Sequence, residues 1–239
     1  MRPSVQNWTK RMENSQALDF LAKEGWLSTL PSDLRSKFQS QLKIRQVAAG
    51  DYLYHAGDPP GGLVALAQGS LALEVVVGPR PPRSCFLLHN GTWLGEATTG
   101  DEQARLVGLK TTRPSVIAVL ERSAFHGIAS EAPETWRHLF ALAMENHLRA
   151  LRFADALLER DSQRRLAIVI QQLSGIHDSY GDRPAIIDMD QETLAAAANL
   201  SRSSISPILR EMRNKDAIKV TRKSVRVIST QLLSEYVMK

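Results

Sequence analysis

Between Asp190 and Arg213 the chain reads DQETLAAAANLSRSSISPILREMR, and few folds accommodate that pattern. Asp190 suits an N-cap, and Leu194, Ala195 and Ala198 share one face of a short helix. Asn199 tolerates the left-handed backbone that a sharp turn requires. Leu200 is placed to plug the gap between two helices. Ser201 then caps a second helix with the inner face Ile205, Ile208, Leu209 and Met212 and the outer face Arg202, Ser203, Ser206, Arg210 and Arg213. Small residues at the crossing and a polar, cationic second helix are what a helix-turn-helix needs to enter a DNA major groove. An alanine-rich helix pair alone is common in proteins that never touch DNA, so the segment C-terminal to it matters. That segment, AIKVTRKSVRVIS (217–229), holds two β-branched runs, Ile218–Val220 and Val225–Ile228, around Thr221–Ser224. This pattern predicts a hairpin wing with Arg222, Lys223 and Arg226 at or near its tip.

Charge is distributed to match. From Ser201 onward there are nine cations and three anions, a net +6 on a chain whose total is +5, which leaves the first 200 residues at −1. A basic lobe on a near-neutral body is the footprint of a phosphate-backbone binder. Ser201, Ser204, Lys223 and Arg226 are placed for phosphates, which set affinity without reading sequence.

A length of 239 residues suits two modest domains better than one. No apolar run approaches the ~18 residues of a membrane helix, and the N-terminus lacks the apolar core of a secretory signal. Cys85 is the only cysteine, so no intrachain disulfide and no four-thiolate cluster can form. These features point to a soluble, cytoplasmic protein with no membrane contact.

Residues 1–24 read as an N-terminal leader, loose up to residue 16, and Ala17–Ile44 as helical, with Leu18, Leu21 and Trp26 and then Pro31 opening a segment with Leu34, Phe38 and Leu42. From Gln46 short aliphatic runs alternate with glycines: Tyr52–Tyr54, Leu63–Ala67, Leu71–Val77, Cys85–Leu88, Trp93–Leu94, Leu106–Leu109 and Val116–Leu120. The GPRPP segment (78–82) reads as a rigid turn. Strands this short and evenly spaced predict an antiparallel roll over 25–133. From Glu134 to Glu159 there is no glycine or proline, and Phe140, Met144, His147, Leu151, Ala154 and Leu158 follow a 4, 3, 4, 3, 4 spacing. That heptad seam predicts a dimerisation helix over 134–160, with His147 placed to make the pairing pH-sensitive. A fresh start at Asp161 and Ser162 puts a hinge near 159–161, ahead of a winged helix-turn-helix domain over 161–239. The fold class is α+β.

A β-roll, a heptad helix and a winged helix in that order resemble the Crp/Fnr superfamily of bacterial transcription regulators. The likeness runs from Trp26 onward. It is carried by AAGDYLYHAGDPPGG, AQGSLAL and NGTWLGE in the roll and by LSRSSISPILREM in the second domain. The resemblance implies a homodimer on a palindromic operator with half-sites one helical turn, ~34 Å, apart. It also implies a cyclic-nucleotide-binding-like jelly roll that holds a small effector, and RNA polymerase as a further candidate partner. The effector residues it implies are Gly95, Glu96, Arg105, Leu106, Ala150 and Leu151. Leu106 stands where nucleotide-binding members carry a serine or threonine that bonds the phosphate, and Ala150 and Leu151 where they carry a Thr-Ser pair near adenine. An unpaired buried purine nitrogen costs ~1–3 kcal/mol, so no response to cAMP at physiological levels is expected, and the effector is unknown. On the recognition helix Arg202 matches the family's first base-reading arginine, while Ser203 and Pro207 replace the other two base readers.

Other functions have other requirements. Catalysis needs a constellation, but the six histidines (55, 89, 126, 138, 147 and 177) are scattered, with no metal-ligand pair. Neither a P-loop nor a dinucleotide fingerprint is present. No metal and no cofactor are expected. A redox or haem sensor on the same scaffold would turn on Cys85 and His89, and a protein-docking module would use the winged helix without DNA.

Overall fold

The computed structural model describes residues 11–76, 83–175 and 186–238. The GPRPP turn, most of the Ser174–Pro184 loop and the first ten residues lie outside the described residues.

The stretch expected to be one helical region is divided. Helix α1 (Asn14–Lys23) is followed by a 3-10 turn (Trp26–Thr29), helix α2 (Ser32–Gln41) and strand β1 (Lys43–Val47), which takes up Ile44. Gly25 makes the break. Its φ is +77°, and a Cβ there would lie 2.0 Å from the Gly91 carbonyl oxygen, so only glycine fits the crossing. From Asn14 the expected leader is part of the roll, because Ala17 and Leu21 of α1 are fully buried in its core.

Strands β2 (Tyr52–Tyr54), β3 (Leu63–Val75), β4 (Arg83–Leu88), β5 (Trp93–Leu94) and β6 (Val107–Leu120) complete an antiparallel sheet with β1. The order is β1-β6-β3-β4, with β2 on β6 and β5 on β3. Two pairs of expected short strands are fused. β3 and β6 pair from Leu63↔Leu120 to Val75↔Val107, and register shifts between Leu66 and Leu71 bend the ladder. Gly69, at φ +123°, permits the bend, since a Cβ would sit 2.2 Å from the Ser115 hydroxyl. A short helix α3 (Glu96–Gly100) follows β5, and α4 (Arg122–Glu131) closes the roll. The core gathers Trp26, Phe38, Trp93 and Phe125 edge to face, with centroids 5.3–6.1 Å apart.

Helix α5 (Thr135–Leu158) runs out of the roll. The Trp26 indole N–H donates to the His138 carbonyl at 2.8 Å, which fixes the start of the helix against the aromatic core. Leu139 and Leu142 bury against the roll, and Phe153 and Ala156 bury in the core of the second domain. The second domain holds α6 (Ser162–Ser174), β7 (Ile186–Ile187), α7 (Gln191–Ala197), α8 (Arg202–Asn214), β8 (Ile218–Val220), β9 (Val225–Val227) and α9 (Thr230–Met238). Its sheet order is β7-β9-β8. The two domains touch: Phe86 of β4 packs on Phe153 at 4.4 Å between centroids, and Arg113 pairs with Asp188.

Candidate nucleic-acid interface and roll cavity

Local bonds build the helix pair. The Asp190 carboxylate accepts from the Thr193 backbone N–H at 2.8 Å, and this bond first of all holds its pKa below the usual range. Asn199 takes the left-handed turn with φ +50°, and the Leu200 N–H closes onto the Ala195 carbonyl at 2.9 Å. The Ser201 hydroxyl caps α8 by accepting from the Ser204 N–H at 3.0 Å, and it also bonds the Ser203 and Ser204 hydroxyls. Ile205, Leu209 and Met212 are buried, so the register of α8 is fixed. Arg202, Ser203, Ser204, Pro207 and Arg210 are exposed, and Ser206 is half-exposed with its hydroxyl donating to the Arg202 carbonyl at 2.9 Å.

The β8–β9 wing pairs Lys219 with Arg226. A turn from Thr221 to Ser224 is tied by the Thr221 N–H to the Ser224 carbonyl at 2.8 Å, and it leaves Arg222 and Lys223 exposed at the tip. Arg226 is half-buried one strand back. Cationic side chains therefore stand on α8 and on the wing tip, the two elements that flank a groove in a winged helix.

The second site is a cavity of about 440 Å³ between the roll and α5. Gly95, Glu96, Arg105, Leu106 and Ala150 line it. Leu151 is exposed and is not part of the lining in the single chain. Arg105 is buried, its guanidinium donating to the Gly62 carbonyl at 3.0 Å and lying 4.1 Å over the Tyr54 ring. Burial lowers its pKa and pushes the Tyr54 phenol up to about 12. Leu106 is 63% exposed at the rim. One oxygen of Glu96 accepts from the Asn146 amide at 3.0 Å, while Oε2 is buried without a hydrogen bond. Burial holds the Glu96 carboxyl above its usual pKa.

Sequence reasoning missed Tyr54 and Asn146 here. Asn146 carried a signal: it continues the stripe Leu139, Leu142 and Phe153 that faces inward, and a polar residue on a buried stripe marks a polar partner beneath it.

A raised carboxyl pKa means that the folded chain binds this proton more tightly than the unfolded chain, so Glu96 favours folding below its unfolded pKa and loses that contribution as pH rises through the folded value. Glu96→Gln, which keeps the acceptor for Asn146, is expected to raise the melting temperature at pH 7.5, with a smaller gain at pH 4. Calorimetric melts at the two pH values check this, and an equal or larger gain at pH 4 contradicts it.

The six seam residues are all exposed in the single chain, Phe140 at 65% and Leu158 at 79%. His147 lies on this seam and also lines the cavity. No helix among the described residues is long and apolar enough to cross a membrane. The alternative built on Cys85 falls on a side chain outside the described residues.

Comparison with known proteins agrees with this geometry. Residues 44–132 match the cyclic nucleotide-binding domain family, and residues 152–236 match the Crp-like helix-turn-helix domain family. None of the curated proteins matches the chain. The fold is shared with FixK2 from Bradyrhizobium japonicum, at 11% identity and TM-score 0.66 over 82% of this chain and 96% of that one. It is shared with the c-di-GMP responsive global regulator CLP of Xanthomonas campestris, at 19% identity and TM-score 0.62 over 84% and 100%. A CRP/FNR family transcriptional regulator from Thermus thermophilus aligns at 18% identity and TM-score 0.62 over 82% and 99%. Identities this low establish the fold alone.

A cyclic nucleotide-binding-type roll, a long helix and a Crp-like helix-turn-helix together define the architecture of a Crp/Fnr-type transcription regulator. With both domain families matched in order, the chain belongs to the Crp/Fnr superfamily.

Proposed function

We propose that the protein is a cytoplasmic homodimer that binds a palindromic DNA operator and regulates transcription, pairing through the α5 seam. The observation that carries the reading is the coincidence of an exposed cationic α8 and wing with an uncovered apolar stripe on α5. Ser201, Ser204, Lys223 and Arg226 bind phosphates, and Arg202, Ser203, Ser206 and Arg210 face the bases. Selection from a random duplex pool tests it. An inverted repeat with half-sites one turn apart is expected, and no enriched duplex at low salt contradicts the reading.

The roll cavity holds a small effector other than cAMP. Arg105 and Glu96 supply polar groups at one end, but Leu106 and Ala150 offer no hydroxyl where a phosphate and a purine would need one. Isothermal titration with cAMP is expected to give no saturable heat at micromolar ligand, and a micromolar Kd contradicts this.

A further inference from the structure

Ser203, Pro207 and Arg210 stand four and three residues apart and so form one row along α8. The row lies opposite the buried Ile205, Leu209 and Met212. Pro207 is exposed in the middle of it, and the helix continues through it without a break. Proline is the least favourable residue for a helix interior, because it has no N–H and its ring crowds the preceding turn. Being exposed, Pro207 gains no burial in the core for that loss. What it adds is chemical: a rigid apolar ring, with neither donor nor acceptor, at the centre of the face turned to the groove.

On the DNA-binding reading above, we infer that Pro207 is a specificity-determining residue whose ring packs on the C5 methyl of a thymine in each operator half-site. Major-groove base edges present donors and acceptors, and the thymine methyl is the apolar group among them. Pressed on a cytosine or adenine amino group, or on guanine O6, the ring would strip water from a polar atom and return no hydrogen bond, which is unfavourable. Against the methyl it strips nothing that needs replacing. Ser203 and Arg210 on either side retain donors for neighbouring bases or phosphates.

The test compares the full-length protein with Pro207→Gln, a helix-favouring side chain that pairs with adenine N6 and N7. Each is used to select from a random duplex pool. The wild type is expected to enrich a thymine at one position of each half-site, and Pro207→Gln to replace it with adenine. Changing that thymine to uracil in one half-site of the wild-type operator removes a single methyl. It should weaken wild-type binding about fourfold, the worth of one buried methyl-sized group, and leave the variant unaffected. If both proteins select the same base there, or if uracil is bound as well as thymine, the inference is overturned while the DNA-binding reading stands. If the wild type enriches no duplex, the DNA-binding reading falls and takes the inference with it. Should circular dichroism show Pro207→Gln unfolded, the uracil measurement on the wild type decides alone.

Discussion

Phe140→Asp is expected to sediment as a monomer at micromolar concentration and to lose duplex affinity by orders of magnitude. The side chain is 65% exposed in the single chain, so the fold does not depend on it. In a two-fold dimer each seam residue meets its own copy or a neighbour of it, and every substitution acts twice. Burying a phenylalanine contributes ~1.5–3 kcal/mol. Removing two therefore weakens pairing by roughly a hundredfold to ten thousandfold, before the repulsion of two carboxylates in an apolar seam is counted. A monomer offers one recognition helix and half the phosphate contacts, so affinity for an inverted repeat falls with dimer affinity. Circular dichroism should be unchanged. A variant that stays dimeric would remove the seam Phe140, Met144, His147, Leu151, Ala154 and Leu158 from the account.

Arg202→Ala and Lys223→Ala should separate reading from holding. Arg202 is exposed at the first position of α8, where a guanidinium can reach guanine O6 and N7. Its loss should cost ~1–3 kcal/mol per half-site of the selected operator, about 5- to 150-fold each, and relax preference at one base position of each half-site. Lys223 stands at the wing tip beside the backbone path. Its loss should weaken all sequences alike and reduce the slope of affinity against salt by about two, one for each chain. Fluorescence anisotropy on operator and scrambled duplexes, at several salt concentrations, gives both quantities. Equal losses on the two duplexes for both variants would contradict the role assigned to Arg202.

What was legible in the chain follows the range of the interactions. Caps and turns act over three or four residues, so Asp190, Asn199 and Ser201 could be placed from local pattern, and the structure has them as a cap, a left-handed turn and a cap. The exposed stripe on α5 was legible because its heptad spacing repeats along one helix. Strand length was not. Gly69 and the Arg113–Pro114 pair look like interruptions, yet β3 and β6 run through them because each holds the other over more than ten residues. Pro114 falls within the interval of Ser70/Arg113 and Gln68/Val116 where the register shifts, and a missing ladder donor is tolerated at such a place. Helix α1 shows only Ala17 and Leu21 as buried groups, too weak a stripe to announce that it joins the roll core. One residue turns a helix by ~100°, which separates Ala150 on the cavity wall from Leu151 on the seam. Asn146 was within reach of the same periodicity, but the heptad pattern is strongest on the opposite face of α5 and masks it.

The central claim is that two chains, joined along α5, present two copies of α8 to one duplex. Sedimentation velocity of the protein with a labelled selected duplex tests it directly. A dimer in free solution and a single complex of two chains per duplex at low salt are predicted. A protein that stays monomeric and leaves the duplex sedimenting as free DNA would contradict the claim.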